Sequence, residues 1–349
     1  MQLDTKIFKS RISASVSIAE APAHGESVIT YSPKSKAAQE YFVSQLMTKE
    51  ALAARKLLDG RNFSQADCQR FGCGYAPQGW DNLVRHLAGK GFTQQEMLDA
   101  GLARQGQRGV YDYFRGRVTW PIRDSTGRTL GFGARKLYED DTINAKYINT
   151  PDTQLYRKTQ VLYGIDLAKS AIVKKRQAVI VEGYTDVISM HQAGVENVVS
   201  SSGTSLTTEQ IRLLNRFTRN ITVIYDGDSA GIHASLRGID MILKEGMNVR
   251  VVLLPPEHDP DSFARAHSAT EVQAYIREHE EDFLTFKAKL LLGEAHNDPI
   301  RKASLITDIV QSIAQIPDPI QRSVFTKECA RIMDIDEQIL ISEVARKRL

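Results

Sequence analysis

Four short apolar segments, separated by amphipathic stretches, dominate the hydrophobic pattern between residues 178 and 261. Each segment is rich in β-branched residues and spans only a few positions, as is typical of strands that are buried on both faces. The stretches between them, such as residues 207–217 and 229–244, have the length and spacing of helices. The pattern therefore predicts an α/β fold in which a parallel sheet is flanked by helices. The four apolar segments are residues 178–181, 195–200, 221–225 and 249–254.

A polar turn follows each of these segments, and most of the turns carry acidic residues. Ligand sites in parallel sheets form beyond the carboxyl ends of the strands, so we expect these side chains at one edge of the sheet. One turn, Asp226-Gly227-Asp228, places two carboxylates around a glycine, which permits unusual backbone angles. The carboxylates that we predict as catalytic are Glu182, Asp186, Asp226, Asp228, Asp259 and Asp261.

Carboxylate oxygens are the ligands that hard divalent cations prefer in proteins. Two such ions, about 3.5–4 Å apart, can hold the attacking and leaving oxygens of an in-line phosphoryl transfer. We therefore predict that Glu182, Asp226 and Asp228 bind two Mg²⁺ or Mn²⁺ ions, and that the other three carboxylates support them. The alternative is that these residues cap the helices that follow the strands, which is a common role for acidic residues.

Positive charge is concentrated upstream of these turns. The whole chain has a net charge of only +3, but residues 101–176 contain 15 Lys or Arg against 7 Asp or Glu. A basic surface beside an acidic metal site suits a polynucleotide substrate, because its phosphates need neutralising and the reacting phosphate needs metal ions. The alternative is a basic face that is merely solvated.

Residues 110–148, within this basic segment, have the pattern of antiparallel strands with turn residues at 124–128. Arg115 and Arg117 are two positions apart, so on a strand they would point to the same face. Arginine binds phosphate well because its forked guanidinium is permanently charged. Arg115, Arg117 and Arg135 are therefore candidates for DNA binding, and a simple surface arginine is the alternative for each.

A second polar group, Lys146, Asn149 and Lys158, follows these strands. A lysine suits the triphosphate of an incoming nucleotide, and an asparagine amide can hydrogen-bond to sugar or phosphate. The alternative is a polar surface loop. Phe114 and Tyr147 could stack on bases, although aromatic residues in strands more often belong to the core.

The motifs around these residues resemble those of bacterial replicative DNA primases of the DnaG type. The acidic turns resemble the Toprim domain of that family in residues 182–187, 202–205, 225–231 and 259–263. The upstream strings that resemble it are residues 74–81, 113–118, 121–124, 130–135, 146–151 and 162–164. The resemblance covers about residues 45 to 345.

The resemblance implies an RNA polymerase that makes short RNA primers from ribonucleoside triphosphates on a single-stranded DNA template for replication. It also implies that Arg117 and Arg135 belong to a basic ridge for the template. Lys146, Asn149 and Lys158 match the family's nucleotide-handling positions. Two other functions remain open. A Toprim-type nuclease or topoisomerase would use the same carboxylates for strand cleavage, and a non-catalytic module for single-stranded DNA would use only the basic surface.

Residues 1–36 are polar and without a clear period, so we expect a leader or linker there. By the same resemblance, we expect an α+β subdomain with a basic surface in 37–175, a Toprim-type catalytic domain in 176–265 and a helical subdomain in 266–349. Members of the family also carry a zinc-binding domain and a helicase-binding domain, neither of which we recognise in the sequence. We therefore expect a fragment or a short member that binds no zinc and does not contact the replicative helicase.

Three cysteines, Cys68, Cys73 and Cys329, are too few for a disulfide framework and indicate a reducing compartment. A zinc site needs four ligands, and the pair Cys68 and Cys73 with His86 lacks a fourth, so we interpret the pair as two buried thiols. No apolar run approaches the roughly 18 residues of a membrane span, and we expect a cytoplasmic protein.

Overall fold

The structure is a computed structural model that describes residues 33–139, 141, 143–203, 205–227, 229–295 and 298–348. Its N-terminal part contains an antiparallel sheet, a separate hairpin and the helices around them. The elements are α1 (Pro33–Leu46), α2 (Leu52–Asp59), α3 (Gln65–Phe71), β1 (Gly74–Ala76), α4 (Asn82–Gly89), α5 (Gln94–Asp99), β2 (Ala103–Gly106), β3 (Gly109–Asp112), β4 (Arg117–Arg123), β5 (Thr129–Lys136) and β6 (Tyr147–Asn149). The antiparallel sheet has the order β1-β4-β5-β6, and β2 pairs with β3.

Two helices of this part begin after a polar residue that caps them. Ser64 precedes α3 and Thr93 precedes α5, and each side chain accepts a hydrogen bond from the backbone N–H three residues later in a capping box. Helix α1 begins at Pro33, so residues 33–36, which we assigned to the leader, form its first turn. The rest of that predicted leader, residues 1–32, lies outside the described residues.

A residue from a neighbouring strand caps helix α4. Asp81 directly precedes the helix and makes no side-chain cap bond. Instead, the carboxylate of Asp112, at the end of β3, accepts hydrogen bonds from the backbone N–H groups of Leu83 (2.8 Å) and Val84 (2.9 Å). Burial raises the pKa of Asp112 to about 6. The cap therefore joins the hairpin to α4 through a buried carboxylate.

Replacing Asp112 with alanine is expected to lower the free energy of unfolding by about 2 kcal/mol, because two buried N–H groups lose their acceptor. Urea unfolding of the variant and the parent measures the difference. Asp112→Asn is the matched control, since it keeps one acceptor oxygen in place and should lose less stability. An alanine variant as stable as the parent would contradict this role of Asp112.

The central part of the chain forms a five-stranded sheet. Its elements are α6 (Ile165–Lys175), β7 (Ala178–Val181), α7 (Tyr184–Gln192), β8 (Val198–Ser200), α8 (Thr208–Asn215), β9 (Asn220–Tyr225), α9 (Ser229–Lys244), β10 (Asn248–Leu253) and β11 (Glu281–Asp282). The strand order is β11-β10-β9-β7-β8, in which β10, β9, β7 and β8 are parallel and β11 pairs antiparallel with β10. The predicted parallel sheet flanked by helices is confirmed.

Two separate cores, one on each face of this sheet, explain the continuous apolar runs of its strands. In β7, Ile180 belongs to the core that the C-terminal helices complete with Ile313, whereas Val179 belongs to the core shared with Trp120 of β4. Successive side chains of a strand point to opposite faces, so β7 has no position left for a polar residue.

Helices make up almost all of the chain after β10. They are α10 (Pro260–Ala266), α11 (Ala269–His279), α12 (Phe283–Ala295), α13 (Pro299–Gln315), α14 (Pro319–Met333) and α15 (Glu337–Arg348). Helices α12 to α15 cover one face of the parallel sheet with buried residues such as Phe283, Ile309 and Leu340, and the predicted helical subdomain is confirmed. Among the helices that the structure describes, none is long and apolar enough to span a lipid bilayer.

The two larger sheets meet at Tyr184, the first residue of α7. Its ring is 2% exposed and stacks on Trp120 of β4, with ring centroids 5.5 Å apart and an interplanar angle of 6°. Gly133 of β5 permits this approach, because a Cβ atom there would lie 2.2 Å from the Tyr184 ring. Tyr184 therefore fixes the antiparallel sheet against the carboxyl end of β7, where the sequence predicts the site.

Candidate active site

The carboxyl ends of β7, β9 and β10 lie at one edge of the parallel sheet, and each is followed by a predicted carboxylate. Glu182 follows β7 and is exposed, Asp226 follows β9 and is half-buried, and Asp259 precedes α10. Gly227 lets the turn after β9 approach the segment after β10, since a Cβ atom there would lie 2.3 Å from the carbonyl oxygen of Pro255. The parallel strands thus gather acidic side chains that are far apart in the sequence.

Four of the predicted carboxylates interact electrostatically. Asp186, in the first turn of α7, has its pKa raised to about 7, first by burial and then by the charges of Asp259, Asp226 and Asp261. The Gly183 backbone N–H, 2.8 Å from Asp186 Oδ2, opposes this rise. The four carboxylates share one region in which their repulsion favours a proton or a cation. An all-oxygen, negatively charged cluster of this kind fits a hard divalent cation.

Two of the predicted carboxylates also cap helices, which was the alternative interpretation of their positions. Asp186 accepts the Gly183 N–H at the start of α7, and Asp259 accepts the Ser262 N–H (2.7 Å) at the start of α10. A capping carboxylate keeps further lone pairs, so this role is compatible with supporting a metal ion.

Asp228, the third predicted metal ligand, lies outside the described residues. Within the described part of the chain, no group of three or more His, Cys, Asp or Glu side chains is arranged so that it could hold a metal ion.

Asp261 has a different position within the cluster. Its buried carboxylate pairs with Arg61 and with Arg265 (3.1 Å), and it accepts a hydrogen bond from Ser189 of α7. Both carboxylate oxygens are therefore engaged by protein groups. Asp261 ties α10 to α7 and to the segment after α2, and it supports the cluster without offering an open ligand position.

Asn149 and Lys158, which we predicted to handle nucleotide, both reach the loop that follows β8. The Asn149 side-chain amide donates to the Ser202 carbonyl at 3.0 Å, and the Lys158 ammonium donates to the Gly203 carbonyl at 3.3 Å. Ser202 and Gly203 have positive φ angles of 58° and 80°, so the loop turns sharply beside the end of the sheet. Lys146, the third residue of this group, is exposed just before β6.

Tyr184 was not predicted as a site residue, yet it positions Asn149. Its hydroxyl donates to Asn149 Oδ1 at 2.6 Å. Burial raises the pKa of Tyr184 well above its usual value, so the hydroxyl stays protonated and can donate. One sequence signal could have found it, because a glycine inside a strand, here Gly133, often marks a close approach by another group.

Arg117 does not present its charge to solvent, contrary to our expectation of a template-binding ridge. The side chain is 1% exposed, and its guanidinium pairs with Asp141 at 2.6 Å and donates to the carbonyls of Ile143 and Ala145. The segment after β5 covers it, so Arg117 holds that segment in place. Strand β4 begins at Arg117, so Arg115 lies outside it. The alternation of side chains along a strand therefore does not place Arg115 and Arg117 on the same face of the sheet.

The side chains of Arg115 and Arg135 are more exposed than that of Arg117. The Arg115 guanidinium is 3.9 Å from the ring centre of Trp80, an aromatic residue that is 63% exposed and that we did not single out. Arg135 is half-buried and lies 5.9 Å from the ring centre of Tyr147. Phe114, by contrast, is a core residue. An exposed aromatic ring beside an arginine is the arrangement that stacks and neutralises single-stranded nucleic acid.

Solved structures of bacterial primases are similar to this chain over most of its length. The RNA polymerase domain of Mycobacterium tuberculosis primase DnaG matches with a TM-score of 0.78 and 37% identity, covering 87% of this chain and 99% of that one. A DNA primase domain from Pseudomonas aeruginosa matches with a TM-score of 0.82 and 33% identity, covering 91% and 99%. A DnaG primase catalytic domain bound to single-stranded DNA matches with a TM-score of 0.77 and 31% identity, covering 89% and 98%.

Three family models match successive parts of the chain. The N-terminal domain of the DNA primase catalytic core matches residues 41–169, a Toprim-like model matches residues 179–264, and the DnaB-helicase binding domain of primase matches residues 295–338. The last match shows that our expectation of no helicase contact through this chain was wrong. The amphipathic helices of that region contain no local motif that distinguishes a partner-binding bundle from an ordinary closing subdomain.

Curated relatives are DNA primases as well. The one from Mycobacterium tuberculosis is 39% identical over 302 residues, which is 84% of this chain and 47% of that protein. The one from Mycolicibacterium smegmatis is 49% identical over 211 residues, which is 58% of this chain and 33% of that protein. The chain thus spans about a third to a half of the length of these relatives. It belongs to the bacterial DnaG-type DNA primases, and it carries the catalytic-core and Toprim regions of that family.

Proposed function

We propose that this chain polymerises ribonucleotides into short RNA primers on a single-stranded DNA template. The observation that carries the proposal is the position of one short segment, residues 182–186, which links the acidic cluster to Asn149. This segment contains Glu182, directly after β7, and Asp186, which belongs to the acidic cluster, and it also contains Tyr184, which holds Asn149 beside the loop after β8. Candidate metal ligands and nucleotide-holding groups are therefore fixed relative to one another. A cytoplasmic location at replication forks is part of the same proposal.

In this proposal Glu182, Asp226 and Asp228 would hold two Mg²⁺ or Mn²⁺ ions, which would supply positive charge to the primer 3′-hydroxyl and to the leaving pyrophosphate. The protein's own groups contribute position and charge, which is most of what phosphoryl transfer needs. Burial and, after it, the neighbouring carboxylates raise the pKa of Asp186, so a cation among these carboxylates would favour its ionised form. Lys158 supplies a point charge for the triphosphate beside the loop after β8.

Incorporation of radiolabelled ribonucleotides on single-stranded DNA, with Mg²⁺ or Mn²⁺, tests the proposal. We expect labelled products that lengthen with time and require the template. A Toprim-type nuclease would instead shorten a labelled template under the same conditions, and a non-catalytic binding module would leave both nucleic acids unchanged. Either of the last two outcomes would overturn the proposal.

Replacing Arg115 or Arg135 with alanine is expected to weaken binding of single-stranded DNA and to flatten its salt dependence. Each phosphate contact to a single strand contributes about −0.7 to the slope of log K against log salt concentration. Trp80→Ala should cost about 1–3 kcal/mol of binding free energy but leave the slope unchanged, because stacking releases no counterions. Fluorescence anisotropy titrations at several salt concentrations measure both quantities.

The matched control for these variants is Arg331→Ala, which removes an exposed arginine on α14 that pairs with Glu328. Its affinity and slope should equal those of the parent. An unchanged slope in both Arg115→Ala and Arg135→Ala would show that neither residue contacts template phosphates.

Helicase contact through residues 295–338 is also part of the proposal, because the helicase-binding family model matches there. Ile320 and Val324, four residues apart on α14, are 75% and 61% exposed and lie on the same face of the helix. Val324→Asp should therefore weaken binding to a purified DnaB-type helicase without unfolding the chain. Equal helicase affinity in the variant and the parent would exclude this face of α14 as the contact.

A further inference from the structure

The C-terminal end of helix α3 brings two cysteines side by side. The helix ends at Phe71, and Gly72 follows in the left-handed conformation with a φ of 69°. The Cys73 N–H donates to the Cys68 carbonyl at 2.8 Å, and the Gly72 N–H donates to the Gln69 carbonyl at 3.2 Å. These two bonds define a Schellman motif, in which the side chains of the two residues joined by the 2.8 Å bond, five positions apart in the sequence, pack together. In this chain both of those residues are cysteine.

The two thiols differ in exposure and in acidity. Cys73 is buried, whereas Cys68 is only partly buried, and both are free thiols. A hydrogen bond between the two side chains lowers the pKa of Cys68 and raises that of Cys73 well above its usual value. Partial burial and, after it, the nearby carboxylates of Asp67 and Asp59 act against the lowering of the Cys68 pKa. Cys68 is therefore the thiol that ionises first and that a small oxidant can reach.

We propose that Cys68 and Cys73 form a reversible oxidation site that reacts with hydrogen peroxide. The Cys68 thiolate attacks one peroxide oxygen and becomes a sulfenic acid, and the other oxygen leaves as water after taking up the thiol proton. The Cys73 thiol then attacks the sulfenic sulfur, the disulfide forms, and a second water leaves. Two thiols are oxidised, and one peroxide is reduced to two waters.

The disulfide would join α3 to the residue that directly precedes β1 of the antiparallel sheet. Helix α3 also contacts α7 of the parallel sheet: the Gln192 amide donates to Asp67 at 2.7 Å, and the His191 ring lies edge-on to Phe71 with centroids 5.3 Å apart. Oxidation would thus lock a helix that touches both sheets. Disulfides in a reducing compartment are usually transient and redox-sensing, and a disulfide formed by peroxide between these two free thiols would belong to that class.

Trypsin allows a direct test because it cleaves after Arg70, between the two cysteines. Cys68 falls in the peptide 62–70 and Cys73 in the peptide 71–85. The folded protein is treated with hydrogen peroxide, its remaining thiols are blocked with iodoacetamide, and it is digested without reductant. Mass spectrometry should detect these two peptides joined, two hydrogens lighter than their sum, and dithiothreitol should separate them.

The same treatment in concentrated urea gives the reference rate for an unfolded chain. The folded protein should form the linked peptides at least about tenfold faster, because the helix end holds the thiols together. Cys329→Ser removes a thiol in the C-terminal core and should not change this rate, whereas Cys68→Ser should leave the buried Cys73 unoxidised. The proposal is overturned if no linked peptides form, if they form no faster than in urea, or if Cys329 is the partner.

Discussion

An Asp226→Asn variant is expected to incorporate ribonucleotides about a thousand-fold more slowly than the parent, which corresponds to roughly 4 kcal/mol of activation free energy. Asp226 follows β9, and its charge is one of those that raise the pKa of Asp186. Asparagine has nearly the same shape as aspartate but no charge. The substitution therefore weakens the hold on a divalent cation without opening a cavity, and the fold and template binding should be retained.

Template-dependent incorporation at saturating Mg²⁺ or Mn²⁺ is the measurement. Glu257→Gln is the matched control, because it removes a charge from an exposed carboxylate between β10 and α10 and should keep nearly full activity. If Asp226→Asn stays within a few fold of the parent, Asp226 is not a metal ligand. If Asp226→Asn loses affinity for single-stranded DNA together with its activity, the loss of activity has another cause.

The parallel sheet could be predicted because its pattern is local. A segment such as residues 178–181, without any polar position, is stable only when both of its faces are covered. The sharing of one edge by Glu182 and Asp226 followed from strand direction alone. The start of β8 was less predictable: Val195, expected in the strand, instead completes the end of α7, where its N–H donates to the Met190 carbonyl at 3.0 Å.

The environment of Arg117 could not be predicted, because it depends on residues far along the chain. The carbonyls that accept its hydrogen bonds lie 26 and 28 residues later, at Ile143 and Ala145. In sequence, an arginine within a basic segment looks the same whether it faces a phosphate or holds a covering loop. The role of Asp112 could not be predicted for the same reason, because it caps α4 only when β3 lies beside that helix in the fold.

Replacing Tyr184 with alanine is expected to lower the free energy of unfolding by about 3–5 kcal/mol. The ring is buried between Trp120 and Tyr163, with centroid distances of 5.5 and 4.8 Å. Gly133, on the facing strand, has no side chain that could move into the space left by the ring. Urea unfolding measures the loss, and a decrease below about 1 kcal/mol would show that the seam between the two sheets does not depend on this ring.

Tyr184→Phe separates the function of the hydroxyl from that of the ring. The phenylalanine keeps the stack on Trp120, but Asn149 loses the donor that orients it toward the Ser202 carbonyl. We expect the KM for ribonucleotide to rise about tenfold, because a hydrogen bond contributes about 1 kcal/mol and a factor of ten corresponds to about 1.4 kcal/mol. The kcat and the free energy of unfolding should change little, since the metal ligands and the packing are untouched.

Steady-state incorporation at varied ribonucleotide concentration, together with urea unfolding, distinguishes this effect from general loosening of the seam. Tyr163→Phe is the matched control, because Tyr163 packs against Tyr184 but its buried hydroxyl has no hydrogen-bond partner among the described residues. Its KM should equal that of the parent. An equal rise of KM in both phenylalanine variants would assign the effect to packing, and an unchanged KM in Tyr184→Phe would mean that Asn149 keeps its orientation without this hydroxyl.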